Sequence, residues 1–157
     1  MKPHPEQQLT LIADFAAEIL KQHDLDDILW LIIDRIIKAL HFEDCVIYLL
    51  PIGGDRLIQR AAFGPKNPIG REISNPIAIP LGKGIVGTAA LLKKVLVVDD
   101  ARQDARYLVD DQLRCSEISV PIVFEDRVLG VIDSEHPAPG YFKGWHVQFL
   151  TTVANMT

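Results

Sequence analysis

The sequence predicts an α+β domain: a central antiparallel sheet with the N- and C-terminal helices packed on one face and loops over the other. Three observations predict it. Both ends of the chain carry apolar residues at helical three-and-four spacing, the middle runs at the two-residue period of strands, and one hairpin sorts its side chains into an apolar and an acidic face. The 157 residues suffice for one domain, whose core can bury roughly 70% of the unfolded chain's surface without a metal or disulfide. An apolar fraction of 48% with 24% charged residues excludes a disordered or fibrous chain. A net charge of −5 speaks against a basic nucleic-acid footprint, so no nucleic-acid partner is expected.

Pro3 and Pro5 precede the first helix, whose stripe is Leu9, Ile12, Ala16, Ile19 and Leu20. Segment 1–22 reads as an N-terminal helix for dimerisation or linkage, and 23–157 as the main domain. Asp24 suits the N-cap of the second helix, with Asp26 and Asp27 in the first turn, where the helix dipole favours negative charge. Ile28 to Ile33, Ile36, Ile37 and Leu40 exceed a single stripe. This helix is therefore expected to be covered by the sheet on one side and by a second subunit on another.

Strand periodicity begins near Cys45 and runs to Leu50, with a turn at Ile52–Asp55 and a hairpin partner over Leu57–Phe63. Lys66 to Asn75 reads as loop, and Ile77–Pro80 as a short edge strand, where proline is tolerated. Gly82 and Gly84 permit positive φ ahead of a short helix, and Gly87 permits that helix to pack closely. The same glycine turn can also be read as a phosphate cradle at a helix N-terminus. Val95–Val98 is a strand, 101–112 a helical turn plus loop, and Ser116–Phe124 with Val128–Ser134 the clearest hairpin. From Phe142 onward Trp145, Phe149, Leu150 and Val153 return to helical spacing. The last helix reaches Thr157 without a stop signal, which predicts a domain excised from a longer chain with an output domain following it.

Alternation locates the candidate site. Ile118, Val120 and Ile122 face one way, and Glu117 and Ser119 the other; in the partner strand Leu129, Val131, Asp133 and Glu135 share a face opposite Val128, Gly130, Ile132 and Ser134. Tyr48 can reach the acidic face from the neighbouring strand. Glu117, Ser119, Asp133, Glu135 and Tyr48 are accordingly the candidate ligand-binding residues, suited to an amine or other cation. The competing reading is that Glu117 and Asp133 lie near strand ends and meet water or cap a loop's backbone amides. Partly buried, they would need a partner such as Arg102, Arg106 or Arg114, or carry raised pKa values.

No catalytic or metal-ligating set stands out. The five histidines lack ligand spacing, and Cys45 and Cys115 read as reduced thiols of a cytosolic chain. The longest apolar runs are far short of the ~20 residues that span a bilayer, and no signal peptide opens the chain. A cytoplasmic location and no membrane partner are expected.

Ile79–Ala90, Ser116–Ile122 and Arg127–Ser134, with Phe142 opening the terminal helix, make the chain resemble GAF domains over residues 24 to 157. The resemblance implies a GAF-like (PAS-like) sheet whose loops roof a ligand cup. Residues 75 to 135 are similar to free methionine-(R)-sulfoxide reductases, in which positions matching Glu117 and Asp133 hold the substrate amine. Where that family carries cysteine, this chain has Pro76, Val86 and Asp110. The expectation drawn from this is a domain that is not an enzyme, with a reductase-like activity as the alternative. The run Ile132-Asp-Ser-Glu-His136 resembles GAF modules that precede bacterial sensor histidine kinases, with diguanylate cyclases next. This implies a regulatory sensor of a two-component system, a homodimer, a small-molecule ligand of unknown identity and an output domain in cis. A purely dimerising domain is the remaining alternative.

Overall fold

The computed structural model describes residues 2–157. Six antiparallel strands form one sheet in the order β3-β2-β1-β6-β5-β4: β1 Cys45–Leu49, β2 Arg56–Phe63, β3 Ala78–Pro80, β4 Leu96–Val98, β5 Ser116–Phe124 and β6 Arg127–His136. The three-residue strands β3 and β4 are the edges. Such short edges leave little unpaired backbone for other chains to add to.

One sheet face carries the main core. Cys45, Ile47, Ala61, Ile118, Val120, Ile122 and Ile132 point into it, and three helical segments cover them. These are α1 (Pro5–Ile19), α2 (Leu25–Leu31) and α4 (Gly144–Met156). Asp24 caps α2 by accepting from the Asp26 N–H at 2.7 Å. After Leu31 the helix widens into a π turn, Ile32–Ile37, and closes in a 3-10 turn, Lys38–Leu40. A wider turn redirects side chains, and Ile32, Ile33, Ile36 and Ile37 are all buried.

That burial corrects one expectation. The surplus apolar surface of the second helix is covered within a single chain, because α1 lies over it and contributes the buried Phe15. Along α1 the inward stripe is Leu11, Ile12, Phe15 and Ile19, while Leu9 and Leu20, read as stripe residues, are exposed. Phe15 ranks among the core positions because α1 packs there against the π turn Ile32–Ile37, which spacing alone does not reveal.

The opposite face holds a smaller cluster of Val46, Tyr48, Leu57, Ala62, Ile79 and Val131, against which α3 (Gly84–Leu92) sets Val86 and Ala90. Gly84 has φ of +65°, and the helix comes so close to β3 that a Cβ on Gly87 would stand 2.5 Å from the Pro80 carbonyl oxygen. The alternation in the β5–β6 hairpin holds from Glu117 to Ile122, then slips at a bulge between Ile122 and Val123. Beyond it Val128 joins the Tyr48–Val131 cluster instead of facing away from it, since a bulge adds one residue and reverses the facing that follows. No helix among the described residues is long and apolar enough to cross a membrane.

The close approach of α3 to the sheet yields a test of the fold. Gly87→Ala forces a methyl group into the Pro80 carbonyl and is expected to cost about 1–3 kcal/mol, read as a lower urea midpoint with an unchanged slope. Unchanged stability would mean that α3 is not seated as described.

Candidate functional site

β5 and β6 pair with Glu117 opposite Glu135 and Ser119 opposite Asp133, so four of the candidate residues lie side by side on one face. β1 runs beside β6 and adds Tyr48, whose partner there is Val131. Tyr48, Glu117, Asp133 and Glu135 line a common cavity beneath the N-terminal turn of α3 and the loop around Leu108 and Asp110. Ser119 stands behind it and donates to Asp133. The reading in which the acids sit at strand ends in water fails, because Glu117 and Asp133 are each only 4% exposed and Glu135 6%. The cavity itself holds about 20 Å³, room for one water.

The buried charges do not balance. Among the three arginines considered as partners, only Arg114 reaches the cup; Arg102 and Arg106 pair locally with Asp100 and Asp104. Arg114 donates twice to Asp111, at 2.7 and 2.9 Å, and lies 3.4 Å from Glu135 and 3.7 Å from Asp44. One guanidinium thus faces Asp44, Asp111 and Glu135, with Glu117 and Asp133 next to them. One oxygen of Asp44, the Oε1 of Glu135 and the Nε of Arg114 have no hydrogen-bond partner, while the Tyr107 hydroxyl beside Glu135 and the Arg114 guanidinium both favour its charged form. Burial is the main force on the acids that results: it pushes Asp44 and Asp133 up to about 7 and Glu135 up to about 8, against the pull of Arg114. Glu117 is raised well above the usual carboxylate range, first by burial and then by the negative charge of Asp133 and Glu135. Its carboxyl hydrogen-bonds Asp133. The acids therefore hold protons to a higher pH than free carboxyls do, Glu117 foremost among them.

Sequence reading missed the other wall. Lys66, in a stretch read only as loop, is buried, and its Nζ donates to the Asn75 carbonyl at 2.8 Å and to Asp110 at 2.9 Å. Gln59 donates to the other Asp110 oxygen at 2.6 Å and to the Tyr48 hydroxyl at 3.0 Å. It also accepts from the Ile77 N–H at 3.0 Å, so one side chain ties β2, β1 and both loops together. Asp110 stands where the reductase resemblance expects cysteine, and its ion pair with a residue 44 positions away has no sequence signal. Asp44, just before β1, was missed likewise. Cys45 points into the core on the far face, where burial raises its thiol, and Cys115 is half-buried at the start of β5. Among the described residues no three His, Cys, Asp or Glu side chains are arranged to hold a metal.

The family model for the GAF domain matches residues 24–157. Protein YtsP of Bacillus subtilis is 31% identical over 78 residues, covering 50% of this chain and 48% of that protein. The free methionine-R-sulfoxide reductase of Escherichia coli is 30% identical over 66 residues, covering 42% of this chain and 40% of the enzyme. The chain thus spans about half or less of the curated relatives it matches. Among solved structures, the GAF domain of an Acinetobacter phosphoenolpyruvate-protein phosphotransferase superposes with a TM-score of 0.84 at 23% identity, covering 98% of this chain and 91% of that one. The free methionine-R-sulfoxide reductase of Neisseria meningitidis, in complex with its substrate, gives 0.82 at 20% identity over 99% and 90%. At such identities the structural likeness speaks for the fold. The expectation that the domain is not an enzyme is corrected here: enzymes stand among its relatives. That expectation rested on side-chain types at three positions, a narrower signal than the likeness over 66 residues.

The charge imbalance predicts a pH signature. A carboxyl whose folded pKa lies above its unfolded value loses stability as pH rises from the unfolded pKa toward the folded one, by up to about 1.4 kcal/mol per pH unit. Glu117→Gln keeps a donor toward Asp133 and removes the ionisation. Its melting temperature is expected to exceed that of the original protein by a margin growing from pH 5 to 8. Parallel pH profiles would refute the buried, protonated state of Glu117.

Proposed function

The chain belongs to the GAF domain family, and on that premise we propose that it is a regulatory sensor whose acidic cup takes up a small molecule bearing an ammonium group. The observation that carries this reading is the set of three buried carboxyl groups, Glu117, Asp133 and Glu135, facing a cavity behind which the Arg114 guanidinium is already held by Asp111. Burying like charges side by side costs stability, so a fold that keeps them has a use for them. A ligand cation supplies the missing charge, donates to the open Oε1 of Glu135 and displaces the retained protons. Tyr48 accepts from Gln59, which leaves its own hydroxyl proton for an acceptor on the ligand.

The route outward runs through the sheet. Glu117 and Ser119 alternate with Ile118 and Val120, which pack beneath α4, so a ligand that shifts β5 also shifts the last helix. In this reading α4 leads to an output domain in cis, such as a histidine kinase, and the exposed Leu9 of α1 and Leu20 just after it contribute to a homodimer. The ligand biases the attached domain between two states only as far as it prefers one of them.

A second reading, turnover of free methionine sulfoxide, is favoured by the identity to the Escherichia coli reductase. In it the Cys115 thiol, since Cys45 is sealed on the other face, takes up the sulfoxide oxygen as a sulfenic acid and releases methionine. Two equivalents of an external thiol then return it to the thiol, with loss of water and formation of the external disulfide.

Thermal shift and calorimetry with L-methionine, L-methionine sulfoxide and ethanolamine test the first reading. At least one is expected to raise the melting temperature by a few degrees at pH 7, with the shift lost in Glu117→Gln and Asp133→Asn although both variants fold. No binding by any amine would overturn it. The same samples, given methionine sulfoxide and dithiothreitol, test the second: methionine formation that Cys115→Ala abolishes assigns catalysis, and none removes that reading.

A further inference from the structure

We propose that the loop 104–113 is a tethered surrogate ligand, in which the Asp110 carboxylate sits on Lys66 and Gln59 at the place where the anionic group of a dipolar ligand docks. The inference rests on the ammonium-binding reading of the cup and adds its second pole.

Space is the first argument. With the loop down, the cavity has room for one water, so anything larger enters only when the loop leaves. Leu108 plugs the α3 end of the cup: its Cδ1 lies 2.7 Å from where a Cβ on Gly84 would be, a notch that only glycine leaves open. Asp110 lines the same cavity as Glu117, Asp133 and Glu135.

Charge is the second. Both oxygens of Asp110 are taken by built partners, whereas the Oε1 of the buried Glu135, in the same cavity, has none. The anion position is filled by the chain itself, whereas the acidic wall has only Arg114, 3.4 Å from Glu135 and already doubly bonded to Asp111, to set against its carboxyls. Lys66 has a side chain only 3% exposed, so it cannot be left without an anion at small cost. When the loop lifts, a plain amine satisfies the acidic wall but strands Lys66. A molecule carrying both an ammonium and a carboxylate satisfies the two walls together and takes the place of Asp110. The loop therefore exchanges with the ligand, and selects dipolar molecules over simple amines.

Hydrogen exchange and calorimetry on the full chain decide the matter. In Asp110→Asn, which keeps the side-chain shape, exchange in 104–113 is expected to rise at least tenfold while β5 and β6 stay protected; equal loop exchange in the two proteins overturns the latch. L-Methionine is expected to bind at least tenfold more tightly than L-methioninol, the same molecule with its carboxylate reduced to an alcohol. Lys66→Met is expected to erase that preference and Lys66→Arg to retain it, which separates lost charge from lost folding. Equal affinity of the original protein for both compounds overturns the exchange alone. Binding of neither overturns it together with the ammonium reading.

Discussion

Negative charge buried on one face of the β5–β6 hairpin is the constraint around which the rest is arranged. Glu117, Asp133 and Glu135 reach the cup because the strand period is two, and the same period sends Ile118, Val120 and Ile132 into the helix-covered core. The two faces are thus one feature. A dry core beneath α1, α2 and α4 holds the strands in register, and a strand in register cannot turn its acids out to water without turning its isoleucines out as well. Hydrophobic burial on one side holds unfavourable electrostatics in place on the other.

Two local devices limit the cost. Arg114 is spread over Asp111, Glu135 and Asp44, and burial raises the pKa values of the remaining pair, Glu117 and Asp133, which share a hydrogen bond. Over the opening, Lys66, Asp110 and Gln59 form a second charged cluster that is fully paired. The difference between the two is chemically telling. One is closed and internally satisfied, while the other has open oxygens and too few cations. Function on a common fold is set by such local departures from internal balance. It is also notable that Lys66 bridges Asn75 and Asp110, next to and at two positions where the reductase resemblance places cysteine. An ionic link thus joins loops there, in a chain whose two thiols lie elsewhere.

Much of the architecture was legible because its signals are short in range. Strand alternation placed Glu117, Ser119, Asp133 and Glu135 on one face, and the register confirms that placement. Glycine chemistry placed the turn into α3, and Pro80 marked an edge strand. The errors follow the same logic. Leu9 and Leu20 fit a helical stripe but lie off the face that Phe15 occupies, because the angle at which α1 meets α2 is a tertiary matter. Val128 changed sides at a bulge, and the acid that completes the Arg114 group, Asp44, precedes a different strand altogether.

What the sequence determined by itself was periodicity and composition: an α+β chain, a hairpin with one oily and one acidic face, and a pattern of glycines ahead of a short helix. Those depend on neighbours within a few residues, where backbone geometry fixes direction. Only the tertiary structure decided that the acids are buried, that Arg114 and not Arg102 or Arg106 serves them, and that Lys66 meets Asp110 across the opening. Ion pairs between distant loops carry no period, since they are chosen by where the folded sheet brings the loops, and partial charge compensation exists only once water has been excluded.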